Sequence, residues 1–281
     1  MLSVANRNEM LISAMFSFCL LNISGSRDLY IFVFEKFFLT MLYTTRAIML
    51  HTVPYNDKYV IIHAYTEVFG RTSYLVARNR GRKSKVSHAL FMPLSVVDME
   101  VEHQDRRDLQ RIKETKLCYI QHAIASHPVK NVIALFLAEI LYRTVRTKEA
   151  DHQLFNFLYD SIHWLELSVH GVANFHLVFL IHLVRYLGVY PNAEDYKPGY
   201  FFDLLNGIFT VVQPEHIHFL DENESVILAR LLRMKYDNMA LYSFSRQERL
   251  NIITRILEYY RLHLSDFPEI KSFSIMQSLF D

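Results

Sequence analysis

The sequence holds only two cysteines, Cys19 and Cys118. Two thiols cannot build a four-cysteine zinc site, an iron–sulfur cluster or a disulfide scaffold, and reduced thiols suit a cytosolic setting. Glycine and proline are scarce too, seven of each in 281 residues, which excludes collagen-like and low-complexity chains. No apolar run reaches the roughly 18–20 residues that a membrane-spanning helix needs. Neither sign of charge is in excess: 30 Lys and Arg face 29 Asp and Glu, so the whole-chain balance selects neither nucleic acid nor membrane as a partner. Also missing are the G-x-x-x-x-G-K-[ST] phosphate loop, the G-x-G-x-x-G fingerprint, the G-x-S-x-G elbow and H-E-x-x-H. Nucleotide hydrolysis, dinucleotide chemistry and the common hydrolase mechanisms therefore lack their parts. An enzyme would need a site assembled from distant residues.

What is present begins with ample core material, 51% hydrophobic against 21% charged. Residues 1–40 stand apart, with apolar runs at 10–23 and 29–39 broken by Ser24-Gly25-Ser26. Arg7 is offset by Glu9 and no A-x-A follows, so the segment does not read as a signal peptide. The expectation is that Met41 is the natural start and that residues 1–40 are a non-native or disordered extension.

From residue 42 to 103 the pattern is short and strand-like: residues 47–50, 59–62, 74–77 and 94–101, with turn chemistry at Pro54-Tyr55-Asn56-Asp57 and at Gly70. Four or five short strands in such a span predict a small barrel of the OB type. Charge concentrates here. Residues 46–88 carry eight Lys and Arg against Asp57 and Glu67, a net +6, whereas residues 89–281 carry 19 basic against 24 acidic residues, a net −5. The densest stretch is Arg78-Asn79-Arg80-Gly81-Arg82-Lys83-Ser84-Lys85. Such a loop neutralises backbone phosphates without reading sequence; the alternative is a solvated loop serving solubility. Tyr55, Tyr59, Tyr65, Phe69 and Tyr74 accompany it, and aromatics beside a basic groove hold single strands by stacking.

Residues 102–125 fit neither period. Beyond them an α-helical region is expected, with helices over residues 128–146, 150–167, 172–187, 222–235 and 246–264 and Phe155, Phe157, Leu158, Trp164, Phe175, Phe179 and Leu180 as core. Residues 189–221 form a non-helical insert in which Asn206-Gly207 predicts a β-hairpin. His216-x-His218 followed by Asp221 and Glu222 offers metal-ligand types, but two alternate positions on one strand read better as surface histidines. The fold class expected is thus α+β multi-domain: an OB barrel over 41–125, then a helical domain over 126–281.

This order resembles the RecO family of recombination mediators. The likeness is carried by Ala47-Ile48-Met49-Leu50-His51-Thr52 with Tyr55-Asn56-Asp57, by Tyr65-Thr66-Glu67-Val68-Phe69-Gly70-Arg71, and by Leu75-Val76-Ala77-Arg78-Asn79-Arg80-Gly81-Arg82. Phe179 to Gly188 and Tyr259-Tyr260-Arg261-Leu262-His263-Leu264 with Lys271-Ser272 extend it to the C-terminal end. Many members hold the insert with a four-cysteine zinc ribbon. Residues 190–212 have no cysteine here, so no metal or other cofactor is expected, and packing by Tyr200, Phe201, Phe202, Leu204, Ile208 and Phe209 is expected to replace it. The resemblance implies a non-enzymatic DNA repair and recombination mediator, cytoplasmic and nucleoid-associated. Such a protein binds single- and double-stranded DNA, anneals complementary strands, works with RecR, binds the C-terminal tail of single-stranded DNA-binding protein and so serves RecA indirectly. Phosphate contacts are expected at Arg71, Arg78, Arg80, Arg82, Lys83 and Lys85, and partner contacts at Arg143, Arg146, Lys148 and Arg185. The rival readings are a generic OB-fold nucleic-acid adaptor without annealing activity, and an enzyme with an unrecognised site.

Overall fold

The first strand, β1 (Met41–Pro54), serves two neighbours in turn. Its first half pairs antiparallel with β4 (Val96–His103) and its second half with β2 (Tyr59–Thr66). The register shifts between Met49 and His51; an extra residue there bends the strand from one partner to the other. Next, β3 (Gly70–Ala77) runs antiparallel to β2 and parallel to β5 (Leu109–Leu117), which returns against β4. The closed order β1-β2-β3-β5-β4 is that of an OB-type barrel, as the strand pattern predicts. The computed structural model describes residues 41–78, 90–192 and 196–279. The expectations for residues 1–40, and those placed on Arg80, Arg82, Lys83 and Lys85, lie outside the described residues.

Local chemistry explains the boundaries. Asn56 Oδ1 accepts the backbone N–H groups of Lys58 and Tyr59, each at 2.9 Å, closing the β1–β2 turn. The last strand of the expected set starts two residues late, because Leu94 has a left-handed φ of 60° and belongs to the preceding turn. Strand β5 falls in the stretch that showed no clear period: only Gln110 in it is fully buried, so little alternation was there to see.

The helical region comprises α1 (His122–Ser126), α2 (Pro128–Thr144), α3 (His152–Leu167), α4 (Phe175–Tyr186), α5 (Glu222–Leu231), α6 (Arg246–His263) and α7 (Lys271–Leu279). Pro128 opens α2, Asp151 caps α3 by accepting from Leu154 N–H, and Asp221/Glu224 and Ser245/Glu248 form capping boxes on α5 and α6. Between α4 and α5 the expected hairpin exists as β6 (Phe201–Asp203) and β7 (Ile208–Thr210), but a third strand, β8 (Phe219–Leu220), makes it a sheet. Its loop spans the four residues 204–207 rather than two, with Gly207 at φ 67°.

Two cores share the barrel wall. Ala47, Met49, Ile62, Ala64, Tyr74, Val97 and Met99 fill the barrel, whereas Ile48, Leu50, Tyr65, Leu94 and Val96 face outward into the helical core. Burial of both faces is why residues 47–50 form a continuous apolar run instead of alternating. Of the expected helical core, Phe155, Leu158, Phe175, Phe179 and Leu180 are buried and Phe157 is half-buried; Trp164 is 44% exposed, stacked on Tyr236 at the surface.

In the insert, Phe202, Leu204 and Phe209 are buried, whereas Ile208 faces outward. The two insert histidines are not free surface groups. His216 Nε2 lies 3.3 Å from Asp203 Oδ1, and His218 Nδ1 lies 2.8 Å from Glu258 Oε1 on α6. Asp221 is occupied as the α5 cap. The Asp203 carboxylate also accepts the backbone N–H groups of Leu205 and Asn206 and the Asn206 side-chain amide. These hydrogen bonds to the charged form, with His216, outweigh burial and hold the Asp203 carboxyl below the usual carboxylate range. Among the described residues no group of three or more His, Cys, Asp or Glu is placed to hold a metal ion.

Candidate nucleic-acid interface

The barrel meets the helical region along a seam built around two arginines. Arg46 on β1 makes a bidentate pair with Glu67 at 2.8 and 2.7 Å, and its guanidinium stacks over Tyr159 and Phe155 of α3 at 4.9 and 5.4 Å from the ring centroids. Arg71 on β3 stacks on Tyr142 of α2 at 4.4 Å and donates to the Tyr142 and Val145 carbonyls, each at 3.3 Å. Loss of solvent around this guanidinium pushes it down to about 10, still charged at neutral pH. Beside it Gly70, at φ 58°, lets β3 run so close to residues 147–149 that an added Cβ would lie 2.2 Å from the Glu149 carbonyl oxygen.

A cleft of about 890 Å³ opens on one side of the seam. His51, Val60 and Arg78 form part of its barrel wall, Tyr142, Arg143, Lys271 and Ile275 part of its helical wall, and Phe91 and Pro93 also line it. Tyr142 is the centre of a ring cluster, 4.6 Å from His51 and 5.2 Å from His63, with Arg143 5.2 Å over its face. Burial, with Arg71 and His51 nearby, lowers His63 to about 4, so this imidazole is neutral at pH 7 and adds ring surface instead of charge. A second cleft, of about 350 Å³, lies among Phe69, Arg71, His103, Asp105, Arg107, Asp108, Arg146 and Lys148. There His103 stacks on Phe69 at 3.8 Å.

The residues picked from sequence distribute unevenly over this geometry. Arg78 is exposed at the end of β3, on the first cleft and next to the cationic stretch 79–88. Arg71 is half-buried and committed to the seam, because a β3 residue next to Gly70 is pressed against α2. Of the partner-contact candidates, Arg143 lines the first cleft; Arg146 and Lys148 line the second. Arg146 also donates to the Arg143 and Asp266 carbonyls, and Lys148 pairs with Asp108 at 3.0 Å. Arg185 lines neither cleft; it sits at the end of α4, stacked on and bonded to Tyr190. Tyr65 and Tyr74 are core, while Tyr55 and Tyr59 are exposed by the β1–β2 turn. Sequence reasoning missed His51, Phe91 and Lys271 as cleft residues. Each stands alone in its local pattern, and only the docking of α2 and α7 on the barrel brings them together.

A small apolar groove of about 120 Å³ lies under the insert, lined by Phe202, Leu220, Leu228, Ile252 and Ile256. None of the four partner-contact candidates lines it. Its arginine, Arg255, is paired with Glu224 and Glu258, so the rim is not basic.

Among the described residues no helix is long and apolar enough to cross a membrane. The family model described as "Recombination protein O N terminal" matches residues 41–120, and "Recombination protein O C terminal" matches residues 125–272. Among curated relatives, the DNA repair protein RecO of Azobacteroides pseudotrichonymphae is 46% identical over 241 residues, covering 86% of this chain and 100% of that protein. The RecO of Bacteroides fragilis is 44% identical over 242 residues, and that of Porphyromonas gingivalis 40% over 246, each again covering 86% of this chain and 100% of the relative. Matching models over both halves, together with relatives matched over their whole length, show that this chain belongs to the RecO family of DNA repair proteins, which are recombination mediators rather than enzymes.

Proposed function

We propose that the protein binds single- and double-stranded DNA through phosphate contacts, anneals complementary strands and, with RecR, helps load RecA onto single strands in the cytoplasm. The observation that carries this reading is where the described residues on either side of the cationic segment lie. Arg78, which precedes it, and Phe91, just after it, both line the 890 Å³ cleft, and the intervening sequence adds Arg80, Arg82, Lys83 and Lys85 with no acidic residue. Annealing needs a surface that screens repulsion between two phosphate backbones without reading bases, which such a segment provides. The C-terminal tail of single-stranded DNA-binding protein is assigned to helical-side cations, with Arg146 and Lys148 beside Phe69 the best placed.

Titration of a labelled single strand at two salt concentrations tests the reading. Affinity should fall steeply with salt, and Arg80→Glu with Arg82→Glu and Lys83→Glu should weaken it at least tenfold and slow annealing in parallel. Affinity indifferent to salt and to these substitutions would overturn it; binding without annealing would favour a simple adaptor.

A further inference from the structure

Asn206-Gly207 in the β6–β7 loop is the one Asn-Gly pair in the sequence. With no Cβ to shield it, a glycine nitrogen reaches a preceding asparagine amide with little hindrance, which makes this pair the most labile setting for an already labile residue. The structure ties down both reactants of that step. Asn206 is exposed, yet its Nδ2 donates to Asp203 Oδ2 at 2.7 Å and its backbone N–H donates to Asp203 Oδ1 at 3.0 Å. Gly207 is buried, packed so that an added Cβ would lie 2.9 Å from the Tyr259 hydroxyl, and its N–H donates to the Asp203 carbonyl at 2.8 Å. Asp203 therefore holds the electrophile through its carboxylate and the nucleophile through its backbone oxygen.

We infer that Asn206 is a deamidation site that Asp203 keeps closed, so that its modification records opening of the insert. In the reaction the Gly207 nitrogen gives up its proton and bonds to Asn206 Cγ, the Cγ–Nδ2 bond breaks, and the amide leaves as ammonia with that proton. The cyclic imide then takes up one water at either carbonyl and becomes aspartate or isoaspartate; no oxidant, reductant or enzyme is required. Both bonds to Asp203 oppose it, because the side chain must swing toward the following nitrogen and that nitrogen must be free to lose a proton. Local opening of the loop removes both at once. The product does not restore the loop. A carboxylate at residue 206 has no N–H for Asp203 Oδ2 and sets two negative charges where a hydrogen bond stood, while isoaspartate lengthens the main chain. The effect reaches α6, since Leu204 in the same loop is buried and its carbonyl accepts from His263 Nε2 at 2.7 Å.

The test incubates the full chain at mildly alkaline pH and follows peptides holding residue 206 by mass, with enzymatic methylation of isoaspartate as a second readout. The folded protein should deamidate at least tenfold more slowly than the same chain in urea. Asp203→Asn keeps an oxygen for the backbone N–H groups but offers Asn206 no carboxylate, and should speed the reaction at least fivefold while the protein stays folded. Arg71→Ala, which weakens the fold at the barrel–helix seam, should leave the rate within twofold of wild type. Asn206→Asp supplies the product directly; it should melt below wild type and be cut faster by protease within the insert. Equal rates in native buffer and urea, a folded Asp203→Asn as slow as wild type, or Arg71→Ala as fast as Asp203→Asn would each overturn the assignment. Should Asp203→Asn not fold, the ratio of native to urea rates and the Asn206→Asp variant still decide, and wild-type melting and protease resistance in that variant would overturn it.

Discussion

Arg71 on β3 sets its guanidinium over the ring of Tyr142 on α2 across the boundary between barrel and helices, 4.4 Å from guanidinium carbon to ring centroid. A desolvated pair of this kind, with charge-assisted bonds to two carbonyls, contributes on the order of 2 kcal/mol. Arg71→Ala should lower the melting temperature by roughly 4–8 °C, and Arg71→Lys should restore little, because an ammonium neither stacks nor forks. Unchanged melting with a collapse of DNA affinity would return Arg71 to the set of phosphate contacts.

Gly70 makes that approach possible. Gly70→Ala forces a Cβ to 2.2 Å from the Glu149 carbonyl at a left-handed φ and should cost on the order of 3 kcal/mol or more. Gly199→Ala is the control: its φ is 84° but nothing lies within 4 Å, so only conformational strain of about 1 kcal/mol is expected. Urea midpoints of the two variants should differ clearly, and equal midpoints would refute the close approach.

His176 on α4 is fully buried, edge-on to Phe136, and neither ring nitrogen has a hydrogen-bond partner among the described residues. Burial, with Arg249 adding to it, lowers its pKa to about 3. Between pH 6.5 and 3 the unfolded chain binds a proton that the folded chain refuses, so stability falls as pH falls through this window. At pH 5 the loss from this group is on the order of 2 kcal/mol. His176→Phe should be near neutral at pH 7 and should lose less stability than wild type on going to pH 5, measured by denaturant unfolding at both. An identical acid loss in the variant would show that the proton goes elsewhere.

The insert should behave as a metal-free unit cross-linked by the Asp203 carboxylate. Chelator should leave the melting curve in place, and Asp203→Ala, which strands two backbone N–H groups and His216, should destabilise by about 2–3 kcal/mol. Stoichiometric zinc in the purified protein, or a large chelator-induced drop in melting temperature, would show this account of the insert to be mistaken.

Residues 1–40 precede the strand at which the family model begins to match, and the closed order β1-β2-β3-β5-β4 is built from residue 41 onward. A chain beginning at Met41 should therefore keep its melting temperature and annealing rate. Loss of either on truncation would make the extension a working element.

Much of this architecture was legible from short-range signals. The turn at residues 54–57, Gly70 and Pro128 each act through backbone chemistry within a few residues, and the elements they bound appear where that chemistry puts them, while Asn206-Gly207 marks the hairpin but closes a longer loop than a two-residue turn. Strand β5 and the short β8 were not legible, since one buries little and the other spans only Phe219–Leu220. For the candidate site, Arg78 was readable from charge density. The cleft itself was not: Phe91, Arg143 and Lys271 are distant in sequence, and the packing of helices on a barrel wall that makes them neighbours leaves no local mark. Arg71 shows the converse, a cation in a basic segment whose surroundings turn it from solvent to protein.

The alternation along β1, with Ala47 and Met49 inside the barrel and Ile48 and Leu50 in the helical core, means that one strand is a member of both hydrophobic cores. Disorder in either half should then strip apolar packing from the other. Calorimetry should accordingly record one cooperative transition rather than two, and a barrel severed after residue 120 should present a greasy wall to solvent and self-associate. The two regions that the family models describe separately should therefore melt as one, because a single strand is common to both cores.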